Sequence, residues 1–187
     1  LIYNSLIFKN IIMKKILLLF AIFFITDSYA QTKLYVHPDG DNYAANTKTI
    51  ALLPLNVQVK LRPKELKDFT QEQIIQMGQD EALDIQKGMH SWFLTRMKRG
   101  ETIAKVQSPQ RTNALLKKEG IDIFDAGSYL PSELGKILGV DCVVMGSFET
   151  SKPMSTAASL GLGLLTGGFG ATQSALCNLD FYDTRDD

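Results

Sequence analysis

The most strongly patterned stretch is Glu133–Thr150, E-L-G-K-I-L-G-V-D-C-V-V-M-G-S-F-E-T. It predicts a short amphipathic helix ending at Gly139, a turn at Val140-Asp141, and a strand that begins Cys142-Val143-Val144-Met145 and runs to about Thr150. Consecutive apolar residues without alternation suit a strand covered on both faces, as in parallel sheets. Thr49-Ile-Ala-Leu-Leu-Pro-Leu-Asn56 has the same character over Ile50–Leu53, with Pro54 best placed at its C-terminal end. Val57-Gln-Val-Lys-Leu61 alternates strictly, which predicts an edge continuation with Val57, Val59 and Leu61 inward. Lys33-Leu-Tyr-Val-His37 also alternates and reads as a short edge strand before a turn at Pro38–Asp41.

Helix signals fall between these runs. Thr70-Gln-Glu-Gln73 is a capping-box pattern, and helix follows to about Arg99, where Gly100 stops it. Ile74, Met77, Gly78, Ala82, Ile85, Met89, Trp92 and Phe93 give that helix one apolar face. Gly78 and Gly88 suggest close packing or a kink that divides it. Thr102–Gln107 predicts a strand of moderate strength. Ser108-Pro109 opens the next helix, with Ala114, Leu115 and Leu116 as its buried face and Gly120 beyond its end. Pro131 opens the helix 131–138, and Ala175–Asp183 predicts a strand antiparallel to 142–150. This order predicts an α/β fold, a two- or three-layer sandwich on a mixed, mainly parallel sheet with a C-terminal antiparallel strand. Thr184–Asp187 reads as a turn opening a further hairpin, so the domain is expected to continue past this end.

Residues 1–30 have a different character. Met13-Lys14-Lys15, the ten apolar-core residues Ile16–Ile25 and the small residues at Ser28 and Ala30 form the three-part pattern of a signal peptide. Residues 1–12 then read as upstream translation, and 31–187 as a single α/β domain. Of twenty basic and twenty acidic residues, three lysines and one aspartate lie in 1–30, leaving seventeen and nineteen, a formal charge of about −2. That balance lacks the basic excess of a nucleic-acid-binding surface. The cysteines, Cys142 and Cys177, fall in apolar strand-like runs and read as buried thiols, a disulfide being the alternative in an exported protein.

One segment departs from ordinary scaffold. Pro153–Leu179 is a run of 27 residues with no charge, and its insert, 151–174, carries glycines at 161, 163, 167, 168 and 170. Inserts of this length in compact domains are commonly functional or disordered, and the leucines and Phe169 argue against disorder. Leu160, Leu162, Gly163, Leu164, Leu165, Gly167 and Phe169 are therefore the candidate interaction or membrane segment. It could form a helix with a Gly163/Gly167 contact surface, enter a bilayer, or pack as a flap over the sheet. A phosphate cradle requires its glycines directly between strand and helix, so no nucleotide site is expected.

Other chemistry is sparse. Asp39, Asp41 and Asn42 lack the later glycine and closing glutamate of a calcium loop. The two histidines, His37 and His90, have no cysteine, serine or acid at ligand or triad spacing, and His90 beside Trp92 reads as structural. Asp141 and Glu149 flank the main strand; paired in a cleft they could do acid–base work, but Asp141 reads better as a strand-entry residue. No cofactor or metal is expected.

Ile50-Ala-Leu-Leu-Pro-Leu-Asn56, Thr112-Asn-Ala-Leu-Leu116, Glu133–Asp141 and Val143-Val-Met-Gly-Ser-Phe148 together resemble a superfamily of exported bacterial proteins. It includes the N-terminal domain of TolB, the outer-membrane activators of penicillin-binding proteins and the curli secretion channel. The chain is similar, more closely, to a group of uncharacterised secreted proteins of Gram-negative bacteria with a like insert. The resemblance implies an exported, periplasmic, non-enzymatic envelope protein that docks to an envelope protein partner or to itself. The alternative it implies is a membrane-inserting oligomeric pore or secretion component, associated with the outer membrane through the insert. Against the pore stand the absence of regular ten-residue alternation in the insert and of the lipidated N-terminal cysteine common in these relatives.

Overall fold

In the computed structural model, residues 33–102, 104–151 and 175–185 are described. The predicted signal peptide, and nearly all of the 151–174 insert with its seven candidate residues, lie outside them. The chain divides into Leu1–Leu34 and Tyr35–Asp187, and every element below belongs to the second unit. These are α1 (Gly40–Asn46), β1 (Thr49–Leu52), β2 (Asn56–Val59), α2 (Gln71–Lys98), β3 (Lys105–Val106), α3 (Pro109–Lys118), α4 (Pro131–Leu138), β4 (Cys142–Thr150) and β5 (Ala175–Asp183).

β4 is the spine of a five-stranded sheet. Its first half pairs in parallel with β1 and its second half with β2, and β5 lies antiparallel along its whole length. The Val144 carbonyl accepts from the Leu53 N–H (3.0 Å) and the Thr150 carbonyl from the Lys60 N–H (2.8 Å). β1 and β2 thus follow one another along the same side of β4, and β3 pairs in parallel with β1 beyond. The fold is α/β with a mainly parallel sheet, as the alternation of elements predicts.

The line from β1 to β2 carries one surplus residue. Ile50–Leu52 lie opposite Cys142–Val144, but Asn56–Val59 lie opposite Ser147–Thr150. Because side chains alternate along a strand, one extra residue exchanges the faces. Ile50 and Leu52 point to the same core as Leu55 and Val57, on the far side of the surplus at Pro54. Proline, with no N–H to leave unpaired, suits that position.

Helices cover both faces, which makes the sandwich three-layered. α2 packs Ile85 and Met89 onto Ile50, Leu52, Leu55, Cys142, Val144 and Phe148. On the other face α3 and α4 pack Leu116, Leu134 and Leu138 onto Ala51, Leu53 and Val143, with Ile121, Ile123 and Val140 closing the rim. Each of these leucines is buried to 1% exposure or less, so burial of apolar area supplies the main stabilisation.

Local signals set the helix ends. Thr70 and Gln73 form the capping box, and α2 runs unbroken from there, not divided at Gly78 or Gly88. Ser108 caps α3 with Pro109 at its first position, and Gly139 (φ 66°) ends α4 in the left-handed conformation. Past β3, α2 also approaches the edge of β2 and the end of β1 away from β4. A Cβ at Gly78 would lie 3.0 Å from the Val57 carbonyl oxygen, and the Gln86 amide donates to the Leu52 carbonyl (2.7 Å). Gln86 is itself paired with Asn113 of α3 at 3.0 Å.

Three expectations are corrected. Lys33–His37 is not a strand: among the described residues no neighbour pairs with it, and Gly40–Asn46 is helical instead of remaining in a turn. The 102–107 strand shrinks to Lys105–Val106. On α3 the buried positions are Thr112 and Leu116, one helical turn apart, while Ala114 is exposed. Leu116 and the half-buried Leu115 keep their inward role.

Two glycines of equal sequence weight should respond oppositely to alanine. At Gly146 a Cβ would overlap the Asn178 carbonyl oxygen across the β4–β5 ladder, whereas Gly88 has open space. Gly146→Ala is expected to destabilise by about 1–3 kcal/mol, and Gly88→Ala to stabilise by about 0.5–1 kcal/mol. Urea unfolding of both variants checks this; equal midpoints would contradict it.

Candidate functional site

A cleft of about 400 Å³ opens on the α3–α4 face, beyond the reach of both helices. Its floor is Leu53, Pro54 and Asn56 from the β1–β2 junction and Met145, Gly146 and Ser147 from β4. The turn holding Phe124, Asp125 and Ser128 forms one wall, and Asp180 and Tyr182 of β5 form the other. It therefore lies where β1 ends and the surplus residue turns the chain, the strand-end position that α/β sheets commonly use.

Its two serines already have protein partners. The Ser128 hydroxyl donates to the Asp125 carbonyl (2.7 Å), and the Ser147 hydroxyl accepts from the Asn178 amide (3.2 Å). Farther along the same face Lys60 pairs with Glu149 at 2.6 Å. The cleft thus presents two carboxylates, a phenol, an amide and an aromatic ring, a surface suited to polar or cationic groups of a partner. Neither histidine reaches it. The His37 ring lies against Tyr43, and His90 sits on α2, where burial lowers its pKa from 6.5. Trp92 carries the Arg96 guanidinium 4.0 Å above its ring and packs edge-on against Phe93.

Asp141 is placed outside the cleft, as a clamp at the start of β4. Its Oδ2 accepts from the Lys48 N–H (3.0 Å), the Thr49 N–H (2.9 Å) and the Thr49 hydroxyl (2.9 Å), while its carbonyl accepts from the Thr184 N–H (2.9 Å). Burial opposes its ionisation, yet these donors and nearby Arg185 hold its carboxyl below the ordinary 3.8. Asp141 and Glu149 are eight places apart along β4 and do not form a pair. A residue whose carboxylate holds the start of β1 and whose backbone carbonyl holds the turn after β5 is a strand-entry residue.

The thiols are separate and free. Cys142 lies opposite Asp183 and Cys177 opposite Phe148, six register places apart, roughly 20 Å at about 3.3 Å per residue. Burial, then the charges of Asp183 and Asp141, push the Cys142 thiol up to about 12; burial also raises Cys177. Neither lines the cleft.

The cleft escapes sequence reading because four segments, near residues 54, 126, 146 and 181, meet only in the fold. The seven insert residues are not among those described, but their roots are: Thr150 and Ala175 are paired neighbours at the end of the β4–β5 hairpin. The described residues hold no cluster of three His, Cys, Asp or Glu side chains that could bind a metal ion, and none of their helices is long and apolar enough to cross a membrane. No family model, curated protein or solved structure matches the chain.

Two measurements follow from this geometry. Asp141→Ala should destabilise by about 1.5–3 kcal/mol, the usual worth of hydrogen bonds to a charged group. Because the carboxyl is depressed in the folded state, its contribution is complete above the unfolded-state pKa and is lost as pH falls through the folded one. The wild-type advantage over Asp141→Ala in urea unfolding should therefore be full at neutral pH and shrink below about pH 4; a gap independent of pH would refute the clamp. For the thiols, a disulfide-exchange reagent at neutral pH should modify Cys142 only after unfolding. Rapid labelling of Cys142 in the native protein would contradict its burial.

Proposed function

We propose that the protein is an exported, non-enzymatic component of the cell envelope that works by docking to a protein partner or by self-assembly. The observation that carries this reading is the rooting of the 151–174 insert, uncharged from Pro153 onward, at one point. The residues that flank it, Thr150 and Ala175, are register partners on a hairpin of two nine-residue strands, of which β4 is buried over most of its length. A rigid scaffold presenting a long uncharged segment from a strand hairpin suits a contact device. The signal-peptide pattern of residues 13–30 supplies the address. The cleft adds a second surface, built of polar groups that suit recognition of a partner's side chains. Its two serines are held by a backbone carbonyl and an amide, with no imidazole or thiol beside them among the described residues.

A membrane-inserting oligomer is the second reading, favoured by the lack of charge from Pro153 to Leu179. Fractionation of the native protein separates the two. Docking predicts quantitative release from membranes by high salt or carbonate, whereas an inserted pore requires detergent. Deleting Ser155–Gln173 should abolish capture of the envelope partner in crosslinking while leaving the domain folded. Unchanged adducts in that variant would remove the insert from either role.

A further inference from the structure

Charge is unevenly divided along the chain. Residues 96–118 carry seven basic side chains and one acidic one, Glu101, a balance of +6. The other residues of 31–187 hold ten basic and eighteen acidic side chains, a balance of −8.

The fold gathers the basic stretch on one margin. β3 lies beside β1, and its Lys105 N–H donates to the carbonyl of the exposed Lys48 (2.8 Å). The end of α2 leads into β3, and β3 leads through two residues into α3. Gln86 of α2 and Asn113 of α3 join the two helices at 3.0 Å. Lys98 and Arg99 stand at the end of α2, Lys105 on β3, and Arg111, Lys117 and Lys118 on α3; all six are exposed. Arg111 and Lys118, seven places apart, share one helix face. That face is turned outward: Ala114 between them is exposed, and Thr112 and Leu116 are the buried positions.

The neighbouring acids leave most of this charge uncancelled. Glu101 pairs with Arg96 at 2.7 Å and reaches Arg99 at 3.7 Å, while the Arg96 guanidinium also covers Trp92. Glu119 follows Lys118 at the end of α3. Lys98, Lys105, Arg111, Lys117 and Lys118 have no ion-pair partner among the described residues.

We propose that this margin is a peripheral contact for an anionic bilayer, with lipid phosphates facing these five side chains. It goes beyond the docking reading above, and its position is different. β3 sits beside Ile50, which lies opposite Cys142, eight places along β4 from the root of the insert at Thr150. Three considerations favour a bilayer. A chain of net charge −2 would be repelled if its charges were mixed evenly, whereas segregation attracts one side and orients the molecule on approach. Exposed cations spread over three elements match negative charge spread over a plane, whereas a single small anion requires converging donors. Protein interfaces draw on aromatic and apolar anchors, and over 94–118 Leu94 is the one exposed large apolar residue among those described. A lysine or arginine near an anionic membrane strengthens binding roughly fivefold, an effect confined to about a screening length.

Cosedimentation of the full chain with vesicles of phosphatidylcholine, alone or mixed with phosphatidylglycerol, tests this. Binding to the mixed vesicles is expected to exceed binding to phosphatidylcholine. The excess should vanish as salt rises from about 0.1 M to about 1 M and the screening length falls from about 10 Å to about 3 Å. Lys98→Ala with Lys105→Ala, and Lys117→Ala with Lys118→Ala, should each weaken the excess roughly 25-fold, with unchanged urea midpoints showing that both variants fold. Lys64→Ala with Lys67→Ala removes equal charge from exposed positions before the other end of α2 and should bind like wild type. Equal binding to both vesicles, an excess that survives high salt, or margin variants that bind like wild type would overturn the proposal. Equal weakening by the Lys64 and Lys67 pair also overturns it, because net charge alone would then explain binding. So does displacement by inorganic phosphate beyond that by chloride at the same ionic strength, which would mean a compact anion site. Crosslinking of an acidic protein through these lysines without vesicle binding would make the partner a protein instead. Loss of the excess on deleting Ser155–Gln173 would move the contact to the insert. The docking reading is scored separately, by envelope crosslinks that the lysine variants should leave unchanged.

Discussion

The interaction on which the rest depends is the pairing of β4 on both sides along its length. A strand hydrogen-bonded left and right has no freedom to tilt, and its two rows of side chains must both be taken out of water. Cys142, Val144 and Phe148 require a cover on one face and Val143 on the other, which is why α2 and the α3–α4 pair lie on opposite faces. Gly146 is the position where this arrangement constrains the residue itself, since the Asn178 backbone passes where a side chain would stand. Asp141 fixes where the strand begins. It holds β1 with its side chain and the turn after β5 with its backbone, so three segments far apart in sequence start in register together.

The two margins of the sheet are managed differently. Past β3, a helix brought close by a glycine lies against the Val57 carbonyl of β2, and the Leu52 carbonyl at the end of β1 is answered by a buried glutamine. That glutamine is in turn held by Asn113, and a second small network joins Gln107 to Thr112 and to the Leu138 carbonyl at 2.8 and 2.9 Å. Buried polar groups joined in this way resist sliding of α2, α3 and α4 over the sheet, because any shift leaves an unanswered group in a low-dielectric interior. β5 has no comparable cover among the described residues.

What could be read from the sequence was what is local. Apolar runs at 50–53 and 142–145 gave the central strands because burial on both faces removes alternation. Thr70 with Gln73, Ser108 with Pro109, and Pro131 with Gly139 marked helix ends because caps act within one turn. Contacts between distant segments were not legible. The surplus residue at Pro54 shows only against β4, Gln86 looks like any surface glutamine until Leu52 needs a donor, and the cleft is assembled from four separate segments. Lys33–His37 failed for the complementary reason: alternation makes a strand only where a neighbouring edge accepts it.

The root of the hairpin has a consequence in chain entropy. Between Thr150 and Ala175 the sequence spends 24 residues, although a tight turn of two to five would join the same two strand ends. Closing a flexible loop grows harder only with the logarithm of its length, about 0.6 kcal/mol for each doubling. Lengthening a three-residue turn to this one is three doublings, so it costs roughly 2 kcal/mol. The nine register pairs below absorb that without any change in the core. The hairpin tip is therefore a permissive position, where segments of different length and chemistry can be exchanged while the sandwich beneath them stays the same.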